Sequence, residues 1–186
     1  MHFIKEIEAY SPQNEQEYAD RELILSLIDQ FGDAVLTRNC RAAHMTSSGF
    51  IVNEQRDKTL MAYHNIYQSW AWTGGHADGE SELLPVALRE AMEETGITKV
   101  AAFSPEIASI DVLTVPAHIK RGKFVSAHLH LSVCYLLIAP EDQPIAAKED
   151  ENSGVRWLPL DRLAEFCSEP VMLPVYEKLI KKMRIL

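Results

Sequence analysis

The run Gly74-Gly75-His76-Ala77-Asp78-Gly79-Glu80-Ser81, leading into Arg89-Glu90-Ala91-Met92-Glu93-Glu94-Thr95-Gly96-Ile97, constrains this chain more than any other stretch. Paired glycines, which permit a sharp turn and a close backbone approach, feed a short segment crowded with carboxylates. The spacing predicts a helix over 83–95, with Pro85 in the first turn, where a missing N–H costs least, and Gly96 at the C′ position. Leu84, Leu88 and Ala91 then form a stripe that packs on a sheet, leaving an open acidic face. On that face Glu90, Glu93 and Glu94 stand at i, i+3 and i+4. Three like charges side by side destabilise a helix unless something positive holds them. Arg89 reaches Glu93 at i+4, but one guanidinium cannot neutralise three carboxylates. A hard divalent cation with oxygen ligands can, and Mg²⁺ typically combines one or two carboxylates with phosphates and water. The spacing therefore reads as a site for a divalent cation and a diphosphate; the plainer reading is a solvated acidic helix.

Residues 74–97 also resemble the signature of the Nudix hydrolases: a glycine, five residues, Glu, seven residues, then Arg-Glu-aliphatic-x-Glu-Glu-x-Gly-aliphatic. Gly75 fits the leading glycine, and Arg89, Glu90, Glu93, Glu94, Gly96 and Ile97 fit the second half in register. Two positions depart: Ser81 replaces the first Glu, flanked by Glu80 and Glu82, and Ala91 replaces a bulky aliphatic residue. The resemblance extends from about His44 to Trp157. It implies an α/β (α+β) fold, the α/β/α sandwich with a mixed β-sheet. It also implies Mg²⁺ (or Mn²⁺) held by Glu90, Glu93, Glu94 and Gly75, with catalysis shared among Glu93, Glu94, Arg89 and a glutamate on a distant loop. Glu151 is the first choice for that last role and Glu149 the second; an exposed acidic turn without a role is the rival reading. The implied activity is metal-dependent hydrolysis of the diphosphate linkage of a nucleoside diphosphate joined to another moiety. Arg89 orients its neighbours and need not touch substrate, and the carboxylate that takes the proton is left open.

Three alternatives share parts of this pattern. A Nudix-like diphosphate isomerase relies on a cleft cysteine and a paired acid, and no matching motif surrounds Cys40, Cys134 or Cys167. A non-catalytic nucleotide-binding sensor has no use for the intact Arg89, Glu90, Glu93 and Glu94 set. A structural interaction domain leaves the clustered carboxylates unexplained. As for substrate, Pro105 and Pro116 do not fall at the proline position associated with ADP-ribose enzymes. Trp70, Trp72, Phe50 and Tyr63 are able to stack a base, although each suits a core equally.

Length and composition narrow the remaining choices. At 186 residues the chain is expected to form one domain, 1–186. A net charge of −9 argues against a nucleic-acid partner, whose backbone asks for Lys/Arg patches, and favours a small nucleotide-type substrate approached through cations. Three widely spaced cysteines without a CxxC speak against disulfides and zinc and for a reducing cytoplasm. No apolar run is long enough to span a bilayer and the N-terminus lacks a signal peptide's apolar core, so no membrane role is expected. A homodimer, common in the family, is an open expectation.

Along the chain, residues 13–31 read as an amphipathic helix through Tyr18, Leu23, Ile24, Leu27, Ile28 and Phe31, closed by Gly32. Residues 1–11 carry no placement. Residues 42–64 read as a β-hairpin turning at 53–58, and 70–73 as a short strand before the glycines. Strand-like composition recurs at 99–103, 107–115, 124–139 and 155–158, with a basic loop (Lys120, Arg121, Lys123) between the second and third. The apolar run 133–138 marks a central strand. Helices are expected within 159–186, from Pro159 to Cys167 and from Pro174 to Arg184. His128 and His130, two apart on one strand face, are able to bind a transition metal, but no third nitrogen or sulfur ligand is adjacent in sequence, so a cleft or hydrogen-bonding role is expected instead. His76 is expected to line the site, and His44 and His64 to be structural.

Overall fold

A computed structural model describes residues 2–120, 122–148 and 152–186. Glu149, Glu151 and Arg121 lie outside the described residues. The unplaced N-terminus is a helix, α1 (His2–Ala9), which buries Phe3 and Ile7 at i and i+4. Helix α2 (Glu15–Phe31) starts at Asn14, whose side chain accepts from Glu17 N at 2.8 Å, while Glu17 Oε2 accepts from Gln13 N at 2.8 Å. This reciprocal arrangement is close to a capping box. Arg21 of α2 donates to the carbonyls of Ile7 and Glu8 at the end of α1, where a helix runs short of backbone donors.

The α2 stripe differs from expectation. Ile24 and Ile28 are buried, but Tyr18, Leu23 and Phe31 are exposed, and the charged Glu17 is fully buried. A cation from the other end of the chain, its side chain 10% exposed, accounts for the exchange: Lys178 Nζ lies 3.1 Å from Glu17 Oε1 and 2.6 Å from Asp111 Oδ1.

After a 3₁₀ turn (Gly32–Leu36) come β1 (Ala43–Val52), β2 (Lys58–His64), β3 (Ser69–Ala71), β4 (Thr73–His76), helix α3 (Leu83–Thr95), β5 (Ala101–Ala102) and β6 (Ser109–Val115). The expected basic loop is a small hairpin, β7 (His118–Lys120) and β8 (Lys123–Val125). β9 (His128–Ile138) and β10 (Asn152–Pro159) follow, then a 3₁₀ segment (Leu160–Glu165) where an α-helix was expected, and α4 (Leu173–Ile185).

Among the described residues, eight strands form one sheet ordered β10-β2-β1-β9-β5, with β3 on β2, β4 on β1 and β6 on β9. The β1–β9 pair is parallel and the other pairs antiparallel, so the sheet is mixed. Strand alternation divides the core. Met45, Ile51, Leu131, Val133 and Tyr135 pack with α1, α2 and α3 on one face. Phe50, Val52, Cys134 and Leu136 pack with α4 on the other. The architecture is the α/β/α sandwich expected. No described helix is long and apolar enough to cross a membrane.

Candidate active site

The glycine pair is not a turn. Gly74 and Gly75 are extended residues of β4, opposite Ser48 and Ser47 of β1. What matters there is the missing side chain: a Cβ on Gly75 would lie 2.8 Å from Glu90 Cγ and closer still to its carboxyl group. The turn comes later, where Asp78 (φ 47°) and Gly79 (φ 99°) take left-handed backbone conformations. It is clipped to the body of the protein by Gly79 N donating to Leu36 O at 2.9 Å. The Arg38 guanidinium also forks onto Asp78, with Nε at 2.8 Å from Oδ1. That fork holds the Asp78 carboxyl below the usual carboxylate range.

Helix α3 begins and ends as its sequence dictates, with Gly96 left-handed at φ 71°. Leu84, Leu88 and Ala91 do pack on the core, and Ser47 Oγ ties β1 to the helix by donating to Leu83 O at 2.6 Å. Glu90, Glu93 and Glu94 share a side of the helix, but that side faces protein more than solvent. Glu94 is 7% exposed and accepts from Gly74 N at 3.0 Å and from Asn152 Nδ2 at 3.2 Å. Glu90 is wedged against Gly75 with Arg89 NH2 3.8 Å away. Glu93 is half exposed, with Arg89 Nε at 3.8 Å and Lys148 Nζ at 3.7 Å.

The expectation of an open acidic face is thus corrected: packing against β4 and β10 encloses two of the three carboxylates. Arg89 makes its short contact with Glu80 Oε1, at 2.6 Å, and reaches Glu90 and Glu93 only at longer range. Of the two acids flanking Ser81, Glu80 therefore ties the turn to α3, while Glu82 lies 3.3 Å from His2 Nδ1. Asn152 and Lys148 were not singled out in the sequence; the signal for both was their place in the polar stretch around Glu151. Phe50 is fully buried, which removes it as a stacking platform; Tyr63 and Trp70 pack edge to face at 5.4 Å.

On the opposite face of the sheet a second cluster forms. His44, His76 and His130 each offer a ring nitrogen, and these lie within 4.8 Å of one another. His128 joins them, its ring 4.8 Å from that of His44. Burial and the neighbouring imidazoles push His130 down to about 3, and burial also lowers His44. The third nitrogen that the sequence lacked beside His128 and His130 is supplied by β1 and β4. His64 stands apart, its Nδ1 accepting from Ile66 N at 3.2 Å.

The three-layer sandwich thus carries its acidic helix α3 over the glycine strand β4. The family model described as NUDIX domain matches residues 43–179, well over half of the chain. The chain belongs to the Nudix domain family and is an enzyme of its pyrophosphohydrolase type.

Solved structures agree in fold. A Caenorhabditis elegans Ap4A hydrolase in a binary complex superposes with a TM-score of 0.54 at 16% identity, covering 76% of this chain and 98% of that one. A NUDIX-family hydrolase from Clostridium perfringens gives 0.54 at 18% identity, covering 75% and 97%. The NUDIX domain of Shewanella oneidensis NrtR complexed with ADP-ribose gives 0.53 at 16% identity, covering 80% and 92%. At these identities the likeness speaks to fold alone. A comparison with curated proteins finds no match.

Proposed function

We propose that this protein is a Mg²⁺- or Mn²⁺-dependent hydrolase that cleaves the diphosphate linkage of a nucleoside diphosphate joined to another moiety. The observation that carries this reading is the placement of Glu90 and Glu94 against the Gly74–Gly75 strand, with Glu93 beside them at the solvent boundary. The donor set fits a hard cation, being made of carboxylate oxygens. The glycine fits too, since without a side chain at position 75 the Glu90 carboxyl packs directly against the β4 backbone.

A bound divalent ion supplies countercharge to the diphosphate and a more acidic water. The chain's own residues do the positioning. Gly74 N–H and Asn152 hold Glu94 in one orientation, and Arg89 braces the turn through Glu80 while standing near Glu90 and Glu93. Glu93, between Arg89 and Lys148, is the carboxylate of the three that solvent reaches best. Glu151 is retained as a further carboxylate for the set, next in sequence to Asn152. Three free, buried cysteines agree with a reducing cytoplasm.

The test is a panel of nucleotide sugars, nucleoside triphosphates, dinucleoside polyphosphates and ADP-ribose, assayed for released phosphate or pyrophosphate with Mg²⁺ and with Mn²⁺. Cleavage abolished by chelation is expected. Nucleotide binding seen by calorimetry, with no turnover of any compound, would overturn hydrolysis in favour of a binding module.

Gly75→Ala gives a second, sharper check. The added methyl occupies space now filled by the Glu90 side chain, whose flexible end must move. Turnover should fall by on the order of 10²-fold, the usual cost of a misplaced catalytic group, while the circular dichroism spectrum stays unchanged. Full activity in this variant would show that Glu90 need not sit where it does.

A further inference from the structure

The imidazole cluster on the α4-side face of the sheet is independent of the carboxylate site, and nothing in the proposed reaction uses it. We infer that His44, His76 and His130 form a binding site for a transition-metal ion of the Zn²⁺ class. The strands build it. His44 and His130 are direct neighbours across the parallel β1–β9 pair, and His76 opposes Thr46, two residues further along β1. By alternation all three, and His128, project from one face. Sites carried on paired strands are held more firmly than sites on loops.

Two observations point to a ligand rather than to packing. His44 is 5% exposed, and its Nε2 is buried with no hydrogen-bond partner. Its other nitrogen, Nδ1, lies 3.2 Å from Cys40 O. A proton on Nδ1 shared with that carbonyl leaves the Nε2 lone pair directed into the cluster, the arrangement found behind metal-bound histidines. His128 repeats it, with Nδ1 2.8 Å from Ser126 O. Ser132 Oγ, on the same strand face two residues beyond His130, is likewise buried without a partner.

The three ligand nitrogens lie within 4.8 Å. Tetrahedral zinc with Zn–N bonds of about 2.0–2.1 Å holds its nitrogens roughly 3.3 Å apart, so side-chain rotations closing the set by about 1.5 Å complete it. His128 is a further imidazole beside the set, its ring 4.8 Å from that of His44 and 5.3 Å from that of His130. Nitrogen ligands favour Zn²⁺, Co²⁺, Ni²⁺ or Cu²⁺, whereas the carboxylates of α3 favour Mg²⁺ or Mn²⁺, so the two sites sort their metals by chemistry.

Metal-stripped protein titrated with Zn²⁺ in the calorimeter should bind one ion per chain at the cluster, and Co²⁺ should give the visible bands of a tetrahedral nitrogen site. His44→Gln and His130→Gln should each weaken Zn²⁺ by more than the roughly 10–100-fold typical of losing an outer partner. Glu94→Gln should leave Zn²⁺ binding unchanged. His118→Ala, at a histidine outside the three ligands, should also leave it unchanged. If His44→Gln does not fold, His76→Gln, at a half-buried position, answers the same question. Absence of stoichiometric Zn²⁺ binding, binding undiminished in the His130→Gln variant, or binding abolished by His118→Ala alone overturns the assignment.

Discussion

Glu94→Gln is expected to lower turnover by roughly 10²-fold or more, the scale associated with losing a charged group from a preorganised site, with little change in stability. The carboxylate accepts from both Gly74 N–H and Asn152 Nδ2. An amide in its place accepts through its oxygen alone, and its NH₂ would meet the Asn152 amide donor. Asn152 resolves the conflict, because its Oδ1 is buried without a partner and a flip of that amide turns it toward the new NH₂. The hydrogen-bond inventory is thereby kept, and the net loss of stability should stay near 1 kcal/mol. Steady-state rates on the best substrate of the panel, set beside urea unfolding, separate the two effects. Near-normal turnover would remove Glu94 from the mechanism; a large stability loss would mean that Asn152 cannot flip.

Lys178→Met should cause the largest loss of stability of any single change proposed. The ammonium joins α4 to Asp111 of β6 and to Glu17 of α2, and it also donates to Gln16 Oε1 at 3.0 Å. Glu17 is fully buried and Asp111 is 2% exposed. Burial pushes the Asp111 carboxyl above its ordinary range despite the neighbouring cation, while Ser109 Oγ donates to it. Methionine roughly preserves the volume of lysine but leaves two carboxylates facing each other in a dry site. Breaking one side of a buried ion pair costs about 3–5 kcal/mol, which for a chain of this size lowers Tm by on the order of 10 °C. Calorimetry of the variant is the measurement. A loss below about 1 kcal/mol would mean that water reaches the network and that its charges are screened.

The same two regions show what could and could not be read from residue order. The acidic helix was legible because everything that defines it is local. Its carboxylate spacing, Pro85 near its start and Gly96 at its end all lie within one short segment. The glycine pair was misjudged because glycine serves two purposes. Its freedom of φ is a property of the residue, whereas its lack of a side chain matters only once Ser48 and Glu90 are known to press on it. The buried face of α2 was misjudged for a similar reason: Tyr18 and Leu23 look like core until Lys178, arriving from the far end of the chain, makes Glu17 the residue worth burying. The histidine cluster had only a partial local signature, the His128/His130 pair, since β1, β4 and β9 each contribute one of its three close nitrogens. Only the parallel pairing of the first and last of these strands brings His44 beside His130.

That pairing has a consequence for how the protein is made. The whole of β1 zips against β9, from Ala43 with Leu129 to Val52 with Ile138. On the ribosome, β1 and β2 emerge with only a hairpin to form, and the centre of the sheet waits for most of the remaining chain to be translated. Until Ile138 has left the exit tunnel, the apolar edge of β1 lacks its permanent neighbour, and nascent chains halted before that residue should be the ones that chaperones hold and proteases clear.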